Sequence, residues 1–470
     1  DDMQLYPDQT VVLEAVRQAY RDGYRAPLLV SPTGSGKTVM FSVVAKGAAA
    51  KGKRVQIQCH RQELIDQIDR ALRAEGVVAG IIGSDYPESP RAPVQIASVA
   101  TLVKRLERTP APDLMITDEG HHATLGNTWG KILNYWPKAL RLGVTATPTR
   151  LSGEGLCDIY DTMVMGLTVQ QLIHLGRLSP VSVYAPPPPD LSAVHTRMGD
   201  FIQSELAEVM GGSTVTGDAV AHYRKHAHNL PAIAFCASVD NAQKTAEQFR
   251  KGGYRAVTLD GKMDTYLRRE VVADFTRGAI DVITTCDLVS EGFDVPRVVV
   301  GIMLRPTQSL GLYLQQCGRV LRTFPGKERA IILDHAGNAL RFGLPTQTRE
   351  WSLQGADNKK DKGGQVQAVG SVKVCKKCYS ANDSYRSTCK ECGAAFPVSA
   401  RKIEEVAGEL QELTESTVRF KQERSGAKDL DALIQIGKIR GMKDPAGWAG
   451  HVLAAREKKK AQKTRDVNYG

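Results

Sequence analysis

Short apolar runs alternate along this chain with stretches whose apolar positions recur at helical spacing. Ala26–Val30 is an apolar run that ends at Ser31-Pro-Thr-Gly-Ser-Gly-Lys-Thr38, and Lys37–Ala50 is an Ala/Val-rich helix. Arg54–Cys59 reads as a strand, Gln62–Ala74 as a helix, and Leu114–Thr117 and Leu142–Thr145 as further strands. A second series repeats the pattern at Ala232–Cys236, Ala256–Leu259, Asp281–Thr285, Val298–Met303 and Ala330–Leu333. Continuous apolar strands interleaved with helices predict an α/β chain whose parallel sheets are covered on both faces. Two series predict two similar sheets facing each other. Ligands on such sheets sit at the carboxyl ends of strands, which is where the polar motifs of this chain fall.

The boundaries follow from composition. Residues 1–165 read as a first lobe and 166–350 as a second, with the four-proline run Pro186–Pro189 near the junction, since prolines continue neither a helix nor a central strand. Residues 351–370, rich in Gly, Lys, Asp and Gln towards their end, read as a flexible linker. A four-cysteine segment over 371–397 and a basic helical tail over 398–470 complete the chain. Among 470 residues, 42% are hydrophobic and 24% charged, as in folded domains rather than disordered ones. No apolar run approaches the roughly 18–20 residues that a membrane span needs. The polar start Asp1-Asp2-Met3-Gln4 does not read as a secretory signal, so the expected compartment is the cytoplasm.

The net charge of +11 favours an anionic polymer as partner, and its distribution says more than its total. From Gly355 onward, 23 basic residues face 15 acidic ones, so most of the surplus lies outside the two lobes. The Arg456–Arg465 run, with Trp448 upstream of it, reads as an electrostatic clamp or as a solvated helix face. Five of the nine cysteines are scattered and read as core residues. Cys375-x-x-Cys378 and Cys389-x-x-Cys392 form two knuckles that offer four thiolates to a structural Zn²⁺; an iron–sulfur cluster would use the same ligands.

The remaining chemistry is spread over three motifs. In Ser31–Thr38 the backbone of Thr33, Gly34, Ser35 and Gly36 would wrap phosphates, Lys37 would reach the outer ones, and the Thr38 hydroxyl would hold Mg²⁺. Asp118 follows an apolar strand and is suited to anchor Mg²⁺ through water; Glu119 can orient and deprotonate an attacking water. Gln315-x-x-Gly-Arg319-x-x-Arg322 places two guanidinium groups on one helix face, where they can clamp a γ-phosphate.

In this order, and separated by strand–helix units, the three motifs resemble the ATP site of superfamily-two helicases, split between two tandem RecA-like lobes. That resemblance implies further roles. His121 of Asp-Glu-Gly-His would couple the lobes, with Thr145 and Thr147 of Thr-Ala-Thr-Pro; Gly120 stands where relatives usually have Ala or Cys. Gln9, after Leu5-Tyr-Pro-Asp8, is similar to an adenine-reading glutamine, with Tyr6 in place of the usual Arg; a helix start at Pro7 explains the same residues. Gly292-Phe-Asp294 resembles the motif that closes on the ribose. Arg61, Ser98, Thr101, Ser238 and Thr285 match strand-contacting motifs, although each alone is more often a cap or turn residue.

Leu304-Arg-Pro-Thr307, Tyr313–Arg322, Pro325-Gly-Lys327, Leu333-Asp-His-Ala-Gly-Asn338 and the cysteine ribbon together resemble the RadD-like helicases over residues 5–395. The resemblance implies ATP, Mg²⁺ and Zn²⁺ as cofactors, and single-stranded or branched DNA as partner. It also implies a place in recombination, repair or phage DNA replication, in a bacterial cell or a phage-infected host. Recombination or single-strand-binding proteins are expected partners, and a monomer is the expected state. Residues after Val398 depart from longer family members, so their partners are not carried over. An RNA helicase built on the same motor, or an adaptor that uses ATP only as a switch, are the alternatives.

Overall fold

The computed structural model describes residues 5–354 apart from 61, 85, 88, 151–153, 186–193, 198–199, 211–212, 262, 287–294 and 296, and then residues 372–396, 429–439, 444–450 and 452. The expectations at Arg61, Pro186–Pro189, Gly292, Asp294, residues 355–370 and Arg456–Arg465 lie outside these residues. The chain divides into a unit that ends at Val398 and a second that starts at Ser399.

In the first lobe seven strands form one parallel sheet: β1 Pro27–Val30, β2 Val55–Cys59, β3 Gly80–Ile82, β4 Val94–Ser98, β5 Leu114–Asp118, β6 Leu140–Thr145 and β7 Thr162–Met165, in the order β3-β4-β2-β5-β6-β1-β7. Every residue of β1, β2 and β5 is buried. β1 accordingly reads as an unbroken apolar run, whereas β2 buries Gln56 and Gln58 between its apolar residues. One face is covered by the helices Pro7–Arg21, Lys37–Ala49 and Gln62–Ala74, through Val16, Phe41 and Ile65. The other is covered by the helix Thr128–Tyr135 and by Trp129, Trp136 and Tyr160.

The first strand of the second lobe is β8 Val181–Tyr184, and a small hairpin of β9 Thr196–Arg197 and β10 Asp200–Phe201 follows it. With β11 Ala232–Cys236, β12 Ala256–Leu259, β13 Val282–Thr285, β14 Val300–Leu304 and β15 Ala330–Asp334, β8 forms a parallel sheet in the order β12-β13-β11-β14-β15-β8. The two parallel-sheet lobes are the expected RecA-like architecture. Each expected strand falls within two residues of an observed one, while β3, β4, β7 and β8 lie outside the expected series.

β8 is an edge strand, and the cysteine ribbon covers it. The ribbon hairpin, β16 Val372–Val374 with β17 Ala381–Asp383, packs Ala381 into the second lobe's core. Ala185 donates its N–H to the Tyr379 carbonyl at 2.9 Å, and Glu391 accepts from both Ser182 Oγ (2.8 Å) and Arg329 (3.2 Å). The ribbon therefore closes the exposed edge of its sheet.

Residues 351–354 depart from the linker expectation. Trp351 and Leu353 lie against the Trp129–Tyr160 cluster of the first lobe, and the N–H groups of Leu156 and Cys157 donate to the Leu353 carbonyl at 2.7 and 3.1 Å. The chain thus crosses between the lobes twice, once near residue 170 and once near residue 350. Apolar side chains outweigh the polar composition of that stretch.

In the second unit the helix Leu430–Ile439 and the helical residues 445–450 enclose a small apolar cluster. Leu433 and Ala449 are buried there, and Trp448 packs against them. Among the described residues no helix is long and apolar enough to cross a membrane.

A Cβ on Gly155 would lie 2.2 Å from the Leu353 carbonyl oxygen. Gly155→Ala is therefore expected to lift residues 351–354 off the first lobe, at a cost of about 1–3 kcal/mol. Faster amide exchange at residues 351–354 and 156–157 would show it. Wild-type exchange at those residues would contradict this account of the crossing.

Candidate active site

The loop Ser31–Thr38 leaves β1 where the sheet opens, tied down by the Ser31 N–H on the Thr145 carbonyl at 3.0 Å. Its two inner glycines are obligatory. Gly34 and Gly36 have φ of +88° and +84°, conformations that L side chains rarely adopt. Lys37 opens the helix Lys37–Ala49, and its Nζ donates to the carbonyls of Ser31 (3.1 Å) and Pro32 (3.2 Å). Burial lowers the Lys37 pKa, Glu119 and Asp118 pull it back up, and Arg319 and Arg322 lower it further. An amine crowded by two arginines favours a polyanion between them.

Asp118 ends β5, is 7% exposed, and accepts the Glu119 N–H at 3.1 Å. Glu119 itself has φ of +51°, in the left-handed region. That conformation is costly for a residue with a Cβ and recurs where function fixes a side chain. His121 Nδ1 lies 2.8 Å from Thr145 Oγ1 and 3.4 Å from Glu119 Oε2. Thr145 Oγ1 donates to the Thr147 carbonyl at 3.1 Å. A Cβ on Gly311, at the start of the helix Leu310–Val320, would come within 3.1 Å of Thr147 Oγ1. The three expected coupling residues therefore form one chain of contacts that ends on the second lobe.

That helix carries Gln315 and Arg319, with Arg322 just beyond its end. One cavity of about 380 Å³ is lined by Thr33, Gly34, Gly36, Lys37 and Thr38, by Asp118 and Glu119, and by Gln315, Arg319 and Arg322. The three motifs, spread over nearly three hundred residues of the chain, thus meet in one cleft between the lobes. Two close approaches set its width. A Cβ on Gly318 would lie 2.4 Å from Thr33 Cβ, and one on Gly34 would lie 2.9 Å from Leu178 Cδ2.

The Leu304–Thr307 and Leu333–Asn338 motifs hold this helix in place. Asn338 accepts the Thr307 N–H at 3.1 Å and donates to the Arg305 carbonyl at 3.0 Å. Asp334 accepts from the N–H groups of Ala336 and Ala339.

The other expected residues vary in placement. Gln9 is buried and bonded within the chain, with Oε1 to the Tyr6 N–H (3.0 Å) and Nε2 to the Ser35 carbonyl (2.9 Å). Ser98, the last residue of β4, and Thr101, in the short helix Val99–Leu102 that follows, are half-buried. Ser238 accepts the Asn241 N–H at 3.1 Å, so its hydroxyl caps a helix. Thr285, expected to meet a phosphate, is 1% exposed, and its hydroxyl does not reach the surface.

Three side chains that sequence reasoning missed belong to this site. Arg177 lines the cleft from the lobe junction. Lys327 donates to the carbonyls of Val298, Val320 and Arg322, fixing the backbone that carries the second arginine; burial lowers its pKa to about 7. Tyr160 donates to the Gly120 carbonyl at 3.1 Å. Arg177 and Tyr160 act over long sequence separations, so no local pattern marks them, and Lys327 stands in the Pro325-Gly-Lys327 motif, which by itself gives no sign of the carbonyls it gathers.

The four cysteines converge as two knuckles. Their Sγ atoms all lie within 4.8 Å of one another, with Cys375–Cys392 and Cys378–Cys389 at 3.6 Å each. Tetrahedral Zn²⁺ with bonds near 2.3 Å spaces its sulfurs by about 3.8 Å, whereas a disulfide would draw them to about 2 Å. The donor set thus fits a metal. Asn382 supports it, donating to Cys389 Sγ at 3.6 Å.

Residues 2–150 match the family described as Type III restriction enzyme, res subunit, and residues 217–324 match the family described as Helicase conserved C-terminal domain. A 51.5 kDa protein of a Lactococcus phage is 36% identical over 418 residues, 88% of each chain. The Type I restriction enzyme EcoKI endonuclease subunit of Escherichia coli is 22% identical over 392 residues, 67% of this chain and a third of its own length (33%). Among solved structures, an ATP-dependent Type ISP restriction-modification enzyme bound to DNA, LlaBIII, superposes with a TM-score of 0.54 at 17% identity, over 71% of this chain and 28% of that enzyme. The last likeness is one of fold.

The position of Tyr160 explains the glycine at position 120. A Cβ there would meet the Tyr160 hydroxyl at 2.4 Å. Gly120→Ala is therefore expected to lower stability by about 1–3 kcal/mol, and adding Tyr160→Phe should recover part of it. Thermal melting of the single and double variants checks this. Additive losses would contradict the contact.

Proposed function

The chain belongs to the superfamily-two helicases, and from that membership we propose that it is a RadD-like, DNA-dependent ATPase that translocates along or remodels single-stranded or branched DNA. The observation that carries this reading is the single cleft that unites Lys37, Glu119 and Arg322. Lys37 and the loop N–H groups bind the β- and γ-phosphates, and Thr38 and Asp118 are the residues that would hold Mg²⁺, which neutralises phosphate charge when bound. Glu119 orients a water for in-line attack on the γ-phosphorus and takes its proton. The bond from that phosphorus to the β–γ bridging oxygen breaks, leaving ADP and phosphate. Arg319 and Arg322 meet the charge that spreads over the γ-oxygens. The contacts from Glu119 through His121, Thr145 and Thr147 to Gly311 connect that event to the second lobe.

DNA is favoured over RNA by the motifs shared with the RadD-like proteins, and by the DNA-bound restriction–modification enzyme whose fold this chain shares. Ser98 at the end of β4, Thr101 just after it, and Ser238 after β11 stand at the carboxyl ends of their sheets. Backbone N–H groups at such turns position a strand without reading its sequence. Cys375, Cys378, Cys389 and Cys392 would hold Zn²⁺, which would fix the ribbon that covers the β8 edge.

Steady-state hydrolysis and equilibrium ATP binding test the catalytic assignment together. Glu119→Gln should bind ATP within a few-fold of wild type, yet lose turnover by about 10³. Arg322→Ala should lose about 10³–10⁵ in turnover, and Lys37→Ala should lose binding itself. Single-stranded DNA should stimulate the wild type more than RNA does. Equal ATP affinities in Lys37→Ala and Glu119→Gln, or wild-type turnover in any of the three, would overturn the assignment.

Metal analysis should find one Zn²⁺ per chain. Chelation should then raise amide exchange across 372–396 and along β8, while both sheet cores stay protected. Absence of zinc, or an iron–sulfur absorbance, would overturn the metal assignment.

A further inference from the structure

Lys327 does not line the nucleotide cavity, yet its side chain ends on the backbone that delivers Arg322. Its Nζ donates to the carbonyls of Val298 (2.8 Å), Val320 and Arg322 (2.7 Å). Val320 is the last residue of the arginine-bearing helix, and Val298 belongs to the segment that leads into β14. The last carbonyls of a helix have no partner within it and carry the negative end of its dipole, so a cation there answers both. One amine thus ties together the end of that helix, the arginine beyond it and the entry to the neighbouring strand.

The number of donors ties this contact to charge. An ammonium has three N–H donors, one for each carbonyl, whereas a neutral amine has two and turns a lone pair towards the third oxygen. Loss of the proton therefore leaves one carbonyl unsatisfied in a half-buried site, and the cap must rearrange. Among the described residues, the charged side chains that adjoin these segments are engaged elsewhere. Arg297 donates to the Thr276 carbonyl, Arg319 and Arg322 line the cleft, Arg329 pairs with Glu391, and Glu328 is exposed. Burial is the cause that brings the amine's pKa down from the ordinary lysine range to about 7.

We propose that Lys327 is a positioning residue whose proton gates hydrolysis: charged, it holds Arg322 at the γ-phosphate, and neutral, it lets the end of the arginine helix move while ATP stays bound. This rests on the ATPase reading above and adds to it a control on the rate. The third hydrogen bond is present while the amine is protonated and is lost as pH rises through its pKa. Turnover should therefore fall from slightly acid to alkaline pH, with ATP affinity little changed. Arginine at this position stays charged throughout that range, and methionine has no donor at any pH.

The test uses the full chain and compares wild type with Lys327→Met, Lys327→Arg, Arg322→Ala, and Lys327→Met combined with Arg322→Ala. Turnover and equilibrium ATP affinity are measured from about pH 6 to about pH 9. Wild-type kcat should decline about tenfold across that range, while ATP affinity stays within about threefold. Lys327→Met should run about 10–10² below the wild-type maximum at every pH, and Lys327→Arg should lose the alkaline decline. In the Arg322→Ala background, Lys327→Met should cost less than about twofold more, because the group it positions is gone. Losses that multiply in the double variant would make Lys327 a merely structural residue. An alkaline decline that persists in both Lys327 variants would assign the titration to another group. Either result overturns the proposal. If Lys327→Met melts below the assay temperature, the pH profile of Lys327→Arg decides alone. A wild type that binds ATP without turning it over counts against the ATPase reading alone; amide exchange at residues 320–323, compared between wild type and Lys327→Arg at each pH, then decides the switch separately.

Discussion

The distance between the two lobes rests on glycines. At Gly318 the arginine-bearing helix lies so close to Thr33 that any side chain would overlap it, and at Gly34 the phosphate loop meets Leu178 in the same way. Neither lobe alone makes a cleft that could hold and cleave a triphosphate. Lys37 and Glu119 project from one sheet, and Arg319 and Arg322 are delivered by the other. Without a Cβ at these two positions, the guanidinium groups come within reach of the loop. Preorganised charge of this kind acts only while the partners stay at contact distance.

Several features around the cleft serve that contact. Lys327 gathers three carbonyls at the end of the arginine helix, and the bonds between the Arg305–Thr307 and Asp334–Asn338 segments hold its start. Glu119 keeps a left-handed backbone, with Gly120 pressed under Tyr160 behind it. Trp351 and Leu353 return to the first lobe, so the lobes are joined by two crossings. Two crossings permit opening and closing of the cleft while restricting free rotation of one sheet against the other. The ribbon lies on β8 at the edge of the second sheet, where it protects a strand that would otherwise expose unpaired backbone.

Strands such as Ala232–Cys236 were legible because burial on both faces makes them continuous apolar runs, although Val55–Cys59 is buried throughout with Gln56 and Gln58 in it. The three motifs were legible because their chemistry demands fixed local spacing. Edge strands such as β3 and β7 escaped notice, being three or four residues long and only partly buried. Contacts across long separations were invisible in principle. Nothing near Gly120 announces Tyr160. Polar residues at strand ends were ambiguous for a different reason: Ser238 turned to its own helix, and Thr285 turned inward.

The most direct measurement leaves every polar group of the site in place. Gly318→Val adds a side chain where a Cβ would already lie 2.4 Å from Thr33 Cβ, forcing the arginine helix away from the phosphate loop. ATP binding and single-turnover hydrolysis should then separate. Affinity, set mainly by the first lobe, should stay within a few-fold of wild type, while hydrolysis drops by about 10² or more. Hydrolysis at the wild-type rate in this variant would show that the two lobes need not touch for catalysis, contradicting the composite site.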